Sequence, residues 1–195
     1  MIKSPITAVL LAFLCAHIYG RDVLLEFKGA YFVPTNSTFR NCYKGTVIYG
    51  PELTIQLKEQ KNWYAFASLD FLKQKGRFLS LCDSTTLRMM FLAAGIKYIF
   101  PFKHADLYLG LGFQADRLNK KSRNKFVTTQ NTIWGYGGIA KIGSYIHLPH
   151  NFFIDLFFDY GFVWTPKTNF YGNRATRQRT NVGAAIFGAA IGYRF

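Results

Sequence analysis

Between Val23 and Phe195 the sequence divides into eight strand-like segments, seven of which alternate apolar with polar or glycine residues at a period of two, and nothing else in it restricts the fold so tightly. Such alternation marks strands with one apolar and one polar face. In the first segment Val23, Leu25, Phe27, Tyr31 and Val33 share a parity, against Glu26 and Lys28. In the second, Val47, Tyr49, Leu53, Ile55 and Leu57 oppose Thr46, Glu52, Thr54, Gln56 and Lys58. Trp63, Ala65, Ala67, Leu69 and Phe71 oppose Ser68 and Asp70 in the third. The fifth sets Leu107, Leu109, Leu111 and Phe113 against Asp106, Gln114 and Asp116, and the sixth sets Trp134, Tyr136, Ala140 and Ile142 against Gly135, Gly137 and Lys141. Phe152, Ile154, Leu156, Phe158, Tyr160 and Phe162 oppose Asp155 and Asp159 in the seventh; Phe187, Ala189, Ile191, Tyr193 and Phe195 oppose Gly188, Gly192 and Arg194 in the eighth. The fourth segment, residues 86–100, is apolar on both parities, which leaves its register and the sides of Arg88 and Lys97 open.

Periodicity does not say which face is the inside. A soluble barrel buries its apolar face, whereas a membrane barrel turns it toward lipid. Twenty Phe and twelve Tyr in 195 residues are more than a soluble domain of this size readily buries. The first twenty residues read separately, with Lys3, an apolar run over 6–16 and Gly20 before Arg21. That is the pattern of a cleaved secretory peptide, leaving 21–195 as the mature domain. No other stretch reaches the roughly 18 apolar residues of a membrane helix; residues 87–102 come nearest, interrupted by Arg88 and Lys97. A secreted apolar chain without such a helix points to a closed barrel, which pairs every backbone group in lipid.

The connections alternate in length. Short ones are expected at 58–62, 101–105 and 148–151, and long polar ones at 34–45, 73–85, 119–131 and 165–180. Three short turns and four long loops suit eight strands with both chain ends periplasmic and the long loops outside. Tyr31, Trp63, Phe71, Tyr98, Phe113, Trp134, Phe152, Trp164 and Tyr193 lie near the ends of the apolar faces, as interfacial girdles do. The expected fold class is therefore all-β: an eight-stranded antiparallel up-and-down transmembrane β-barrel in an outer membrane.

The ending Phe187-x-Ala189-x-Ile191-x-Tyr193-x-Phe195 is an apolar-alternate strand with an aromatic at its terminus. It resembles the C-terminal strand by which the outer-membrane assembly machinery recognises barrels, with Ile191, Tyr193 and Phe195 as the signal residues. With that strand, the whole of 21–195 resembles the small eight-stranded outer-membrane barrels of Gram-negative bacteria, the class of OmpX, OmpW and the membrane domain of OmpA. The resemblance is one of architecture. It implies a monomeric barrel inserted by that machinery; full-length OmpA-type proteins carry a peptidoglycan-binding domain that this sequence does not, so no tether to the cell wall is expected.

If the apolar parities face lipid, the others face the lumen. Glu26, Lys28, Asp70, Asp116, Lys141, Asp155, Asp159 and Arg194 then form an interior charge network, joined by Glu52, Gln56 and Gln114. Eight strands leave an interior just wide enough for side chains to fill, so a plug is expected rather than a pore. The loops carry cations with few opposing acids: Arg40 and Lys44, then Lys73, Lys75 and Arg77, then Arg117, Lys120, Lys121, Arg123 and Lys125, then Lys167, Arg174, Arg177 and Arg179. A net charge of +14 distributed in this way attracts phosphates and acidic polymers. On an outer membrane the nearest such partner is lipopolysaccharide; nucleic acid is not expected for a secreted barrel. Cys42 and Cys82, two cysteines in an oxidising compartment, are expected to pair as a disulfide between loops one and two.

Barrel enzymes of the outer leaflet commonly use a histidine on the outer side. Here His104, His147 and His150 all fall at the short turns. Asp155 and Asp159 share a face but stand about 13 Å apart at strand rise, too wide for a glycosidase pair. No nucleophile elbow or phosphate loop occurs, and neither a cofactor nor a metal site is expected. A non-enzymatic structural or surface-interaction barrel is the first expectation, a small channel for ions or apolar solutes the second, and an outer-leaflet lipid-modifying enzyme the third. A soluble ligand-binding barrel would need the aromatic face inside.

Overall fold

The protein, seen as a computed structural model, is described over residues 21–36, 40, 45–57, 62–77, 84–123, 128–165 and 181–195. Eight strands run through them: β1 Val23–Pro34, β2 Thr46–Gln56, β3 Trp63–Arg77, β4 Ser84–Pro101, β5 Ala105–Arg123, β6 Thr128–His147, β7 Phe152–Trp164 and β8 Ala184–Arg194. Each pairs antiparallel with the next and β8 returns to β1, so the sheet closes into an up-and-down barrel without an edge. At the seam Leu24 faces Arg194 and Pro34 faces Ala184, and the Phe195 N–H donates to the Val23 carbonyl at 2.9 Å. Pro51 lies within β2, and the β2–β3 ladder skips Gly50 and Pro51 before resuming at Glu52; a proline has no N–H to give there.

Stagger tilts the strands. Cross-strand partners lead from Tyr31, near the loop end of β1, through Phe187, Phe158, Ile142, Leu109 and Tyr98 to Trp63, the first residue of β3. A barrel closes only with such a shear.

The apolar parities face outward. Leu111 is 71% exposed and Phe113 85%, and Phe27, Tyr49, Leu92, Ile142 and Phe187 share this wall. A continuous apolar surface of this kind drives association in water and is at rest in hydrocarbon. Aromatic rings edge it at the turn end, where Trp63 meets Tyr98 at 5.1 Å and Tyr193 meets both Phe152 at 5.1 Å and Phe195 at 4.5 Å. Among the described residues no helix is long and apolar enough to cross a membrane.

Neighbours settle the register of β4. Ala94 lies between Ala67 of β3 and Phe113 of β5, both outward, so the even-numbered residues face out. Arg88 is therefore on the outer wall and Lys97 in the lumen.

Two long connections are shorter than the sequence suggested. β3 and β4 stay paired to Arg77–Ser84, and β5 and β6 to Arg123–Thr128, leaving only 78–83 and 124–127 outside the ladders. Lys73, Lys75, Arg77, Lys120, Lys121 and Arg123 thus stand on strands, not in loops. A backbone ladder continues wherever two strands supply residues in register, and polar residues on both parities erase the alternation that marks it in a sequence.

Candidate functional site

Inward parity concentrates the acids. Glu26, Glu52, Asp70, Asp106, Asp116, Asp155 and Asp159, seven of the chain's ten carboxylates, are buried inside the barrel. Against them the interior sets Lys28, Lys97 and Lys141, all buried, with Arg194 at the turn end. Buried charge is tolerable only when paired, and the geometry supplies pairs.

Glu52 is the hub. Its carboxylate receives Lys28 at 2.9 Å and Lys141 at 3.1 Å and makes a third contact with Lys97. Lys28 also reaches Asp70 at 3.2 Å, Lys141 pairs with Asp159, and Lys97 lies 3.8 Å from Glu26. Lys97 donates to the Tyr145 hydroxyl at 2.7 Å, and Tyr108 donates to Asp155 at 2.9 Å. Aromatic faces complete the box: the Lys97 ammonium is 4.3 Å from the Tyr108 ring centroid, and Lys141 is 5.4 Å from that of Phe66. Such contacts favour a desolvated cation. Four strands or more converge on one carboxylate, so the network ties together parts of the wall that are distant in sequence.

Apolar layers bracket this charged one. Toward the loop end Phe32 packs on Phe91 with ring centroids 5.4 Å apart, beside Leu87, Met89, Leu118 and Val163. Toward the turn end Tyr108 stacks on Tyr145 at 4.6 Å, and Tyr145 meets Phe153 at 5.1 Å. Leu87, Lys97, Asp116, Tyr145 and Val163 expose no surface at all. Among the described residues the interior is packed with side chains, a charged layer lying between apolar ones.

Asp116 stands apart from the ion pairs. Expected in the charge network, it instead accepts from the Gln114 amide at 2.8 Å, with no basic side chain in salt-bridge contact among the described residues. β5 runs on to Arg123, so Asp116 falls inside the barrel rather than at its rim.

At the turn end Asp106 receives Arg194 at 2.8 Å and lies 2.9 Å from His147 Nε2. The acid partner of His147 comes across the β5–β6 ladder, where Ala105 faces Ile146. His104 and His150 are exposed, and His150 and Asn151 take positive φ of 61° and 62° in the β6–β7 turn. Among the described residues no His, Cys, Asp and Glu cluster could hold a metal ion.

Outside, the balance inverts. Of the three acids not in the lumen, Asp22 is at the turn end, while Glu59 and Asp83 lie outside the described residues, as do Lys125, Arg174, Arg177, Arg179, Cys42 and Cys82. Lys73, Arg88 and Arg117 project from the outer face at the loop end of β3, β4 and β5. Ile191 is exposed on the wall of β8, with Tyr193 half-buried and Phe195 exposed beside it. Lys97 is the interior residue that sequence reasoning left without a side. Parity separates it from Arg88, an odd number of residues away, but only the pairing with β3 and β5 says which of the two faces inward.

No protein-family model matches the chain, and no curated protein does so by sequence. Solved structures do match in fold. The attachment invasion locus protein Ail of Yersinia pestis, in complex with the heparin analogue sucrose octasulfate, superposes with a TM-score of 0.55 at 16% identity, over 90% of this chain and 99% of Ail. The outer membrane protein W of E. coli gives 0.54 at 15% identity, over 89% and 97% of the two chains. A major outer membrane protein from Thermus thermophilus gives 0.53 at 11% identity, over 90% and 99%. At these identities the likeness is one of fold: this is the eight-stranded barrel architecture of outer-membrane proteins.

Proposed function

We propose that the protein is a non-enzymatic barrel of a bacterial outer membrane, with both termini periplasmic, whose basic extracellular rim holds phosphorylated or sulfated saccharides. Lipopolysaccharide is the partner that surrounds it in its own membrane. The observation that carries this reading is the partition of charge. Seven carboxylates are drawn into the lumen, so a chain of net charge +14 presents an outer surface almost free of acids. Lys75, Arg77, Lys120, Lys121 and Arg123 belong to the ends of β3 and β5, and Lys125, Arg174, Arg177 and Arg179 fall in the sequence between strands, so together they would supply the cations of this rim. Such a field concentrates polyanions and weakens with salt. Ail was solved with a sulfated sugar, a ligand of the chemistry this rim would attract.

The packed lumen supports a structural role over a channel. A disulfide between Cys42 and Cys82 would stiffen the rim, and the strand ending at Phe195 would serve the assembly machinery. The test is titration of the detergent-folded mature protein with sucrose octasulfate and with lipopolysaccharide at rising salt. Saturable binding of both that weakens with salt is the expected result, with sucrose octasulfate binding lost when Arg174, Arg177 and Arg179 are changed to Gln. Salt-independent binding, or none, would remove the reading.

A further inference from the structure

Lys73 and Arg88 are direct partners across β3 and β4, both pointing away from the barrel. Like charges set opposite each other on a sheet repel. Arg88 faces Asn119 of β5, which brings Arg117, two residues earlier and also outward, onto its diagonal. Long side chains reach one another across such a diagonal. Three cations therefore meet on one patch of the outer wall, and no carboxylate is within salt-bridge distance of them among the described residues. The Arg117 guanidinium is held 5.9 Å from the Trp134 ring centroid, which fixes its direction.

Beneath the cations the wall becomes apolar without a break. Lys73, Arg88 and Arg117 share a groove of about 420 Å³ with Tyr49, Phe71 and Met90. Phe71 pairs with Met90, and Met90 with Arg117, so the apolar floor and the charged lip belong to one set of register positions. A soluble anion would use the lip and leave the floor bare. A lipid with a phosphorylated headgroup uses both, its phosphate among the cations and its acyl chains on the floor.

We infer that this groove is a binding site for one anionic lipid of the surrounding leaflet, a phosphorylated and acylated saccharide of the lipid A kind. The site lies on the lipid-facing wall and shares no residue with the rim proposed above. It rests on that reading only for which leaflet it meets. The phosphate relieves the Lys73–Arg88 repulsion, and guanidinium forks suit its oxygens.

The experiment compares the folded mature protein with a K73Q/R88Q/R117Q variant in phosphatidylcholine vesicles, with and without bisphosphorylated lipid A, reading the thermal unfolding midpoint and the lipid retained in native mass spectrometry. Wild type should retain one lipid A and unfold at higher temperature when it is present. The triple variant should lose both effects, with retention weakened about tenfold or more, while unfolding normally in phosphatidylcholine and still binding sucrose octasulfate at the rim. Arg117→Gln alone, which leaves the strand pairing untouched, should show part of the same loss and guards against a folding defect in the triple variant. Equal stabilisation of wild type and both variants by lipid A would overturn the site. So would full stabilisation of wild type by inorganic phosphate, which would leave an ion site with no lipid. Loss of sucrose octasulfate binding with lipid A retention intact would count against the rim and leave the wall site standing.

Discussion

The barrel uses the same basic side chains in two opposite ways. Inside, Lys28, Lys97 and Lys141 are buried and each is met by carboxylates and aromatic faces. On the wall, Lys73, Arg88 and Arg117 are exposed and, among the described residues, lie against one another, an aromatic ring and the apolar floor with no carboxylate in salt-bridge contact. Parity alone separates the two sets. One residue of register decides whether a lysine is a fixed strut or a free contact for an external anion, because seven of the ten acids occupy the inward parity. Interior charge is thus an architectural material, and exterior charge is what remains to interact.

The largest test of that contrast is at Glu52. Removing its charge by Glu52→Gln takes away the one carboxylate that three buried ammonium groups share and should cost about 3–5 kcal/mol, read as the urea midpoint of the folded barrel in lipid; a change below about 1 kcal/mol would show that the lysines are held by their other partners, Asp70, Asp159 and Glu26, rather than by this carboxylate. Placing a charge on the other face is next. Leu111→Arg puts a cation into the apolar wall and should cost about 2–4 kcal/mol if that wall meets the bilayer midplane, whereas a neutral result would mean that Leu111 is not in lipid. Asp106→Asn lies between these worlds, since Arg194 and His147 both reach solvent; about 1 kcal/mol is expected by the same unfolding assay, and the lumen network should stay intact. The smallest effect belongs to Arg117→Gln, expected within about 0.5 kcal/mol in phosphatidylcholine; a loss as large as that at Glu52 would erase the distinction between strut and free contact.

Much of this was legible in the sequence because period-two alternation is a direct image of a one-sided strand. Leu107, Leu109, Leu111 and Phe113 against Asp106, Gln114 and Asp116 carry both the element and the face. It failed where the two faces have the same chemistry. β4 is apolar on both, so Lys97, the cation that completes the Glu52 hub, had no side until β3 and β5 were paired with it. Lys73, Lys75 and Arg77, and Lys120, Lys121 and Arg123, gave the opposite ambiguity: polar on both faces, they read as loop although the ladder continues through them. The apolar plug of Phe32, Leu87, Met89 and Leu118 was hidden for a related reason, since inward apolar residues blur the contrast on which the alternation depends. The His147–Asp106 contact is a cross-strand fact that no local spacing contains.

The central claim is that the apolar parity faces lipid and the charged parity the interior. It is tested most directly by the gel mobility of the mature protein in detergent, with and without boiling. A closed barrel should migrate as a compact, heat-modifiable band that shifts on boiling. A protein that stays soluble without detergent and shows no shift would turn the aromatic face inward and contradict the account.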